Sequence, residues 1–396
     1  MQAVLGRANV RTTLTHIRRR PGISRVELAH TLHLTKSSVS DATRSLIRVG
    51  LVRERGRVKT STAGRKPRRL FFAADFGQII ALDLGGTTLR AAVVGLDGRV
   101  LRRVHEPADP PQLDAQLARL TRAMLADRSA RRPLAVGIGV AGTVDRSRGL
   151  VLDAPAFARN DWPLAGLVRA AARQAAGAEL PIALDNDVNY AALGEQWRGA
   201  AEGRANVICL SIGTGIGAGV IVDGKLYRGA RGLAGEAGYL YQRSEVPAEA
   251  YDTFGDLELQ AAGIGITHRA KGLTASPDRP AAHSEGTRTE RDGAHAIFLA
   301  AEAGERGAAG VIDHAATQIG IAVGNVVSLL DPEMVVLVGG IGLGQAPRLL
   351  PAIRDVVHRI APPVAREQVA IVAGELGDDA VLIGAACAAQ ELLGLR

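Results

Sequence analysis

Residues 83–90 read "DLGGTTLR" and follow the apolar run Ile79-Ile80-Ala81-Leu82. A strand that ends in a carboxylate and two glycines is suited to holding a phosphate. Glycine lets backbone N–H groups approach the anion, and threonine adds a hydroxyl donor. A second such loop, Gly213-Thr214-Gly215-Ile216-Gly217, interrupts the apolar stretch "NVICLSIGTGIGAGVIVDGKLY". Either loop alone is an ordinary turn between strands. Two of them, each between hydrophobic strands, point to a phosphate-binding cleft.

Outward from these loops, strand and helix patterns alternate from about residue 76. "QIIALDLGG", "LRAAVVGLDGRVL", "PLAVGIGVAG", "PIALDNDV" and "MVVLVGGIG" are apolar runs ended by Gly or Asp, with alanine-rich helical stretches at 112–128 and 164–176 between them. This is an α/β pattern. In "LDNDVNYAALGEQW" a strand gives way to a helix at Asn186-Asp187. A carboxylate at the mouth of a cleft, beside phosphate loops, is placed to take a proton from a hydroxyl nucleophile. Asp187 would equally serve as the cap of the helix that carries Tyr190 and Leu193. The sequence leaves both roles open.

The region before residue 73 has a different character. The chain has 48 Lys+Arg against 40 Asp+Glu, a net charge of +8. Residues 1–72 hold 17 basic and 3 acidic residues, a net of +14, so the remainder carries a net of −6. Such segregation points to a polyanion partner for the first segment, the plain alternative being a solvated basic tail. In "SRVELAHTL" Ser24 and Glu27 have capping-box spacing, and Val26, Leu28, Ala29 and Leu32 can line one buried face. Thr35 can cap a second helix, "KSSVSDATRSLIRVG", with Val39, Ala42, Leu46 and Ile47 as its apolar stripe and Gly50 at its end.

Ser37, Ser38, Ser40 and Arg44 are then left facing outward, side chains that suit a helix lying in a major groove. "LVRERGRVKTSTAGRKPRRLFF" reads as a β-hairpin wing whose tip brings Arg65 and Lys66, with Arg68 beside it, to phosphates or a minor groove. A helix over about 7–19 would brace the pair. Residues 1–72 are therefore expected to form a winged helix-turn-helix that binds double-stranded DNA; a three-helix protein-docking module is the alternative. One such module covers only a half-site, so a homodimer or homotetramer is expected.

Other function classes are excluded by composition. Two cysteines, Cys209 and Cys387, cannot build a disulfide framework or a cysteine-rich zinc site. Aromatic residues, at 3%, are too few for single-strand binding by base stacking. Arg7 and Arg11 interrupt any signal-peptide core, and Asn325, Asp331, Pro332 and Glu333 break the longest apolar run. The expectation is a soluble, cytoplasmic protein with no membrane partner.

Taken together, "SRVELAHTLHLTKSSVS", "AGRKP", "DLGGTTLR", "DNDVNYAALGE", "IGTGIGAGVIVDGKLYRGARGLAGEAG", "DPEMVVLVGG" and "VLIGAACAA" resemble the ROK (repressor, ORF, kinase) family of bacterial sugar kinases and sugar-responsive repressors. The resemblance covers nearly the whole chain. It implies an actin-like ATPase fold of two ribonuclease-H-like lobes over residues 73–396. The first lobe would span about 76–184 plus the C-terminal helix, and the second about 185–375. It implies Asp187 as the base of a kinase reaction, vestigial here, with Asn186 and Glu236 as sugar ligands and Gly142-Thr143 beneath the sugar. Asp83, Gly85, Thr87, Gly213, Thr214 and Gly215 match nucleotide-phosphate positions, and Gly339-Gly340 the nucleoside side. Family members with a DNA-binding module are typically repressors, here of carbohydrate genes.

The departures from the family pattern carry information too. The family reads Glu-x-Gly-His followed by a Cys-x-Cys-Gly-x-x-Gly-Cys zinc loop. A gapless match puts Tyr239, a candidate ligand contact, on the histidine, and Glu249, Tyr251 and Asp256 on the three cysteines. Two phenols and two carboxylates do not suit structural zinc, so no metal is expected. Ala156 stands where the family often has a sugar-binding Asn, and Thr88 where kinases commonly carry Lys. The expected function is a sugar- or sugar-phosphate-responsive DNA-binding repressor with little or no turnover and no cofactor. The alternative is a bifunctional regulator that retains ATP- and magnesium-dependent sugar kinase activity.

Overall fold

The computed structural model describes residues 1–57, 68–126, 131–248, 250–251, 254–272 and 286–396. The chain opens with four helices, α1 (Gln2–Leu5), α2 (Ala8–Arg19), α3 (Arg25–Thr31) and α4 (Lys36–Arg48). The antiparallel strands β1 (Val52–Arg57) and β2 (Arg68–Phe72) follow. The local signals act as their chemistry predicts. Ser24 accepts from the Glu27 N–H while Glu27 reaches back to the Ser24 N–H, and Thr35 accepts from the Ser38 N–H. Gly50 takes a left-handed φ of +86° just past α4.

Leu28, Val39, Ala42 and Leu46 are buried between the helices, but Val26 is 55% exposed and leaves the expected apolar face. At the second position of a seven-residue helix its side chain faces solvent rather than α4. Ser37 and Arg44 are exposed on α4, and Ser38 and Ser40 half-buried. Arg65, Lys66 and the rest of the hairpin tip lie outside the described residues.

The body holds two five-stranded sheets of one topology. The first is built from β3 (Gln78–Gly85), β4 (Thr88–Gly95), β5 (Val100–Pro107), β6 (Pro133–Val140) and, after β7 (Thr143–Asp145), β8 (Leu150–Ala154) and β9 (Arg159–Trp162), β10 (Ile182–Asn186). Its order is β10-β6-β3-β4-β5. The stretch 89–101, which reads as one apolar run, is a hairpin of two strands, because Asp97-Gly98 turns the chain. Helices α5 (Leu113–Leu125) and α6 (Leu164–Ala176) pack together and share one core with the first sheet.

After α7 (Asp187–Arg198) the second sheet forms from β11 (Val207–Ile212), β12 (Ile216–Val222), β13 (Lys225–Tyr227) and, later, two more strands. The chain passes first through α8 (Asp256–Ala261), α9 (Gly263–Ala270), α10 (Gly286–Glu302) and α11 (Arg306–Leu330). Then come β14 (Met334–Val338), α12 (Gly340–Gly344), α13 (Ala346–Ile360), α14 (Pro363–Gln368) and β15 (Ala370–Ala373). The order is β13-β12-β11-β14-β15. In both sheets a three-stranded antiparallel meander is extended by two parallel strands beside its first strand.

The last helix, α15 (Ala380–Leu392), returns to pack on the first sheet, whereas α7 packs on β11 and β12. The two helices meet along their length between the sheets. Among the described residues no helix is long and apolar enough to cross a membrane.

Candidate functional site: an acidic cleft between the sheets

An open cleft of about 1490 Å³ lies between the two halves of the body. Strand ends and glycine loops converge on it from both sheets, as open α/β sheets place their ligand sites. Of the residues singled out in the sequence, Asp83, Gly85, Gly142, Thr143, Asn186, Asp187, Gly213, Thr214, Gly215, Glu236, Tyr239, Gly339 and Gly340 line it. Thr87 does not. It sits in the tight β3–β4 turn, with its carbonyl accepting from the Ala108 N–H, and its neighbour Thr88 lines the cleft instead.

The two readings of Asp187 separate here. Asn186 is the cap: its Oδ1 accepts from the N–H groups of Val188 (2.8 Å) and Asn189 (3.3 Å), and its Nδ2 donates to the Gly142 carbonyl at 3.1 Å. Asp187 is the first residue of α7. It accepts one local N–H, from Val188, and otherwise faces the cleft. Burial pushes its carboxyl up to about 6; the Val188 N–H opposes that shift and Glu236 adds to it. A carboxyl poised there is suited to taking a proton or to accepting from a hydroxyl near neutral pH.

Asp83 is only 2% exposed, and burial raises its carboxyl to about 7 despite an ion pair with Arg90. Arg90 Nη1 donates to Asp83 Oδ2 at 3.1 Å and Nη2 to Asp378 Oδ1 at 2.8 Å. Asp83 Oδ1 is buried with no partner, an acceptor aimed at nothing the protein supplies. Ala156, in the position of the missing asparagine, also lines the cleft, and its methyl side chain carries no polar atom.

Three further residues shape this geometry; Glu258 keeps its place in the family pattern, while the spacing gives no role to Glu195 or Arg243. Glu258 lines the cleft; its Oε1 accepts from the Ile216 N–H and its Oε2 from the Gly255 N–H, both at 2.9 Å, and burial raises its carboxyl. Glu195, fully buried at the far end of "DNDVNYAALGE", accepts from the N–H groups of Ala200, Glu375 and Leu376. It thereby ties α7 to the chain that crosses from β15 to α15. The third is Arg243, in a stretch without periodicity.

Arg243 helps to explain how the loop that departs from the family's zinc pattern holds together. Asp256, at 0% exposed, receives Arg243 Nε at 2.8 Å and the Tyr251 hydroxyl at 3.2 Å. A guanidinium thus supplies the positive charge that balances this buried carboxylate. Tyr239 lines the cleft, and Glu249 lies outside the described residues. Among the described residues no three His, Cys, Asp or Glu side chains are gathered as a metal site.

Comparison with known proteins agrees with this architecture. The chain is 30% identical over 370 residues to a xylose repressor of Caldicellulosiruptor bescii, covering 91% of this chain and 90% of that protein. It is 32% identical over 320 residues to a glucokinase of Streptomyces coelicolor, covering 80% of this chain and 98% of the kinase. A crystal structure of a ROK family transcriptional regulator, a homologue of the E. coli MLC protein, superposes with a TM-score of 0.79 at 23% identity, covering 100% of this chain and 98% of the other. That likeness establishes the fold, including the actin-like, sugar-kinase-type body. With the ROK family pattern matching residues 79–392, the chain belongs to the ROK family.

Proposed function

We propose that this protein is a sugar-responsive, DNA-binding transcriptional regulator, a repressor in which residues 1–72 read DNA as a winged helix-turn-helix and residues 73–396 sense a sugar. The observation that carries the reading is the joining of two parts in one chain. One is a capped α3–α4 pair with Ser37 and Arg44 exposed on a segment of net charge +14. The other is a cleft that Asp187 lines, with Asn186 as the cap of α7 and the Asp187 carboxylate engaging only the Val188 N–H. The match to the xylose repressor supports it, because 91% is more of the chain than the body alone comprises. The glucokinase match, at 80%, is about the body's length.

In this reading α4 lies in the major groove and presents Ser37, Ser38, Ser40 and Arg44, while Arg65, Lys66 and Arg68 meet the backbone or minor groove. Asp187, Glu236 and the remaining amide proton of Asn186 hold sugar hydroxyls. Footprinting of the full chain on DNA flanking its own gene, with and without a panel of sugars, tests it. Protection that one sugar relieves supports the reading; no protected site at any protein concentration rejects it.

A second reading, a regulator that also phosphorylates a sugar, is favoured by the Asp187 carboxyl near 6, close to the optimum for a general base. The likeness to a glucokinase adds to it. An ATP-coupled sugar assay on the wild type and on Asp187→Asn separates the two. Turnover that the substitution abolishes establishes the second reading.

A further inference from the structure

The junction between the N-terminal module and the body holds an unusual cation. Arg18, near the end of α2, pushes its guanidinium into the body. Its Nη1 donates to the Leu395 carbonyl at 2.7 Å, and its Nη2 to the Leu96 carbonyl and to Gln390 Oε1, each at 2.9 Å. Its plane lies over the Phe72 ring of β2, 4.4 Å from the centroid. None of these partners is a carboxylate. Burial, then the neighbouring Arg396, pushes the Arg18 pKa down to about 10, and Arg198 adds to the repulsion. A charge held this way needs compensation, and two carbonyls, Leu395 just past α15 and Leu96 of the β4–β5 turn, supply it together with Gln390 Oε1 in the last turn of α15.

The other end of α15 is at the cleft. Asp378, Ala380 and Val381 line the cleft, and Asp378 pairs with Arg90. A helix of 13 residues, about 20 Å long, thus runs from the cleft to the module. It is held without slack. A Cβ on Gly384 would collide with the Tyr190 carbonyl of α7, and one on Gly137 of β6 with the Ala385 carbonyl. The module's core residues Leu14, Ile17 and Leu46 belong to the same continuous cluster as Ala385, Ala389 and Leu395 of the body.

We propose that Arg18 locks the DNA-reading module to the first sheet through the C-terminal end of α15, so that the module turns with that half of the body when the cleft changes shape. The roles of module and cleft in this statement rest on the proposed function; the mechanical lock does not. Without the lock the module still packs on the body through the shared core, but the polar tie between α2 and the chain at the end of α15 is lost. With it, a change at the N-terminal end of α15 is delivered to α2 through packed groups.

The test uses amide hydrogen exchange on the full chain and needs neither operator nor sugar. Arg18→Gln removes the charge and the guanidinium fork; Arg18→Lys keeps the charge but loses the planar fork whose two ends reach the three oxygens. Arg18→Gln should raise exchange over residues 8–19 and 390–395 about tenfold, with Arg18→Lys between it and the wild type and β3 and β6 unchanged. Arg90→Ala, which releases Asp378 at the cleft, should alter exchange over residues 8–19 in the wild type but not on top of Arg18→Gln.

The proposal is overturned if the double variant shows the product of the two single effects, as independent distant sites do, or if Arg18→Gln leaves residues 8–19 as protected as before. A non-additive cycle in a protein whose footprint no sugar alters would sink the sensing function and leave the lock standing.

Discussion

Asp187 stands one position inside its helix, and this offset separates it chemically from Asn186. The sequence pair Asn-Asp shows where a helix begins but not which residue caps it, since both types cap well. The structure gives the cap to Asn186, whose oxygen is spent on two N–H groups. Asp187 spends Oδ1 on the Val188 N–H and keeps Oδ2 for a ligand. Asp187→Asn should therefore weaken sugar binding by about 1–3 kcal/mol, roughly 5- to 150-fold, while DNA binding without sugar survives. Glu236→Gln should have a milder effect. Titration calorimetry with the sugar that alters the footprint measures both, and an Asp187→Asn protein of unchanged affinity contradicts the assignment.

The raised carboxyl of Asp187 adds a pH signature whose sign is opposite to that of an ordinary salt-bridged aspartate. The folded value, about 6, lies above the model-compound value of 3.8, so the folded state binds the proton more tightly than the unfolded chain. The contribution of this group to stability therefore rises as pH falls from 7 toward 4. Sugar affinity should move the other way, falling below about pH 6 as the acceptor is protonated. The melting temperature of the ligand-free wild type should gain on that of Asp187→Asn between pH 7 and pH 5. A difference that is flat across this range would contradict the shift.

At the scale of elements, the caps were the most legible features, because a Ser-x-x-Glu box or a threonine before a helix acts through bonds a few residues apart. The strands around both glycine loops were legible for the same reason: apolar runs bounded by Gly and Asp. Partnerships at long separation were not. Nothing in the spacing of residues 243 and 256 announces that Arg243 will balance a fully buried Asp256. The exposed Val26 shows the reverse failure, an apolar residue at helical spacing that tertiary packing leaves outside.

The Arg243–Asp256 pair makes two predictions at this scale. Metal analysis should find zinc far below one per chain, with chelators leaving the melting temperature unchanged. Arg243→Ala should lower stability by about 1–3 kcal/mol, because it strands a buried carboxylate; Arg243→Lys should recover part of the loss. Stoichiometric zinc, or an Arg243→Ala protein as stable as the wild type, would contradict this account. Arg65→Ala with Lys66→Ala should weaken binding to all DNA sequences alike and flatten its salt dependence, as loss of phosphate contacts does. Loss confined to one sequence would assign these residues to base reading instead.

The whole molecule joins a basic module of net charge +14 to a body of net charge −6. That asymmetry is plain in the sequence, but the way the halves meet is not. Arg18 lies 378 positions from the C-terminal Arg396 and 377 from Leu395, whose carbonyl receives it. No local pattern encodes such a contact. A single module spans a half-site, so the protein should bind DNA as a dimer or a pair of dimers, and sedimentation at operator-saturating concentrations should find no monomer.

The central claim is that the sugar cleft governs DNA binding. The most direct measurement is the affinity of the full-length wild type and of Asp187→Asn for one footprinted operator fragment, at fixed salt, across a titration of sugar. The account predicts equal affinity without sugar, a fall for the wild type as sugar is added, and a titration shifted to higher sugar for Asp187→Asn. An operator affinity that no sugar changes in the wild type, or that responds identically in both proteins, would contradict it.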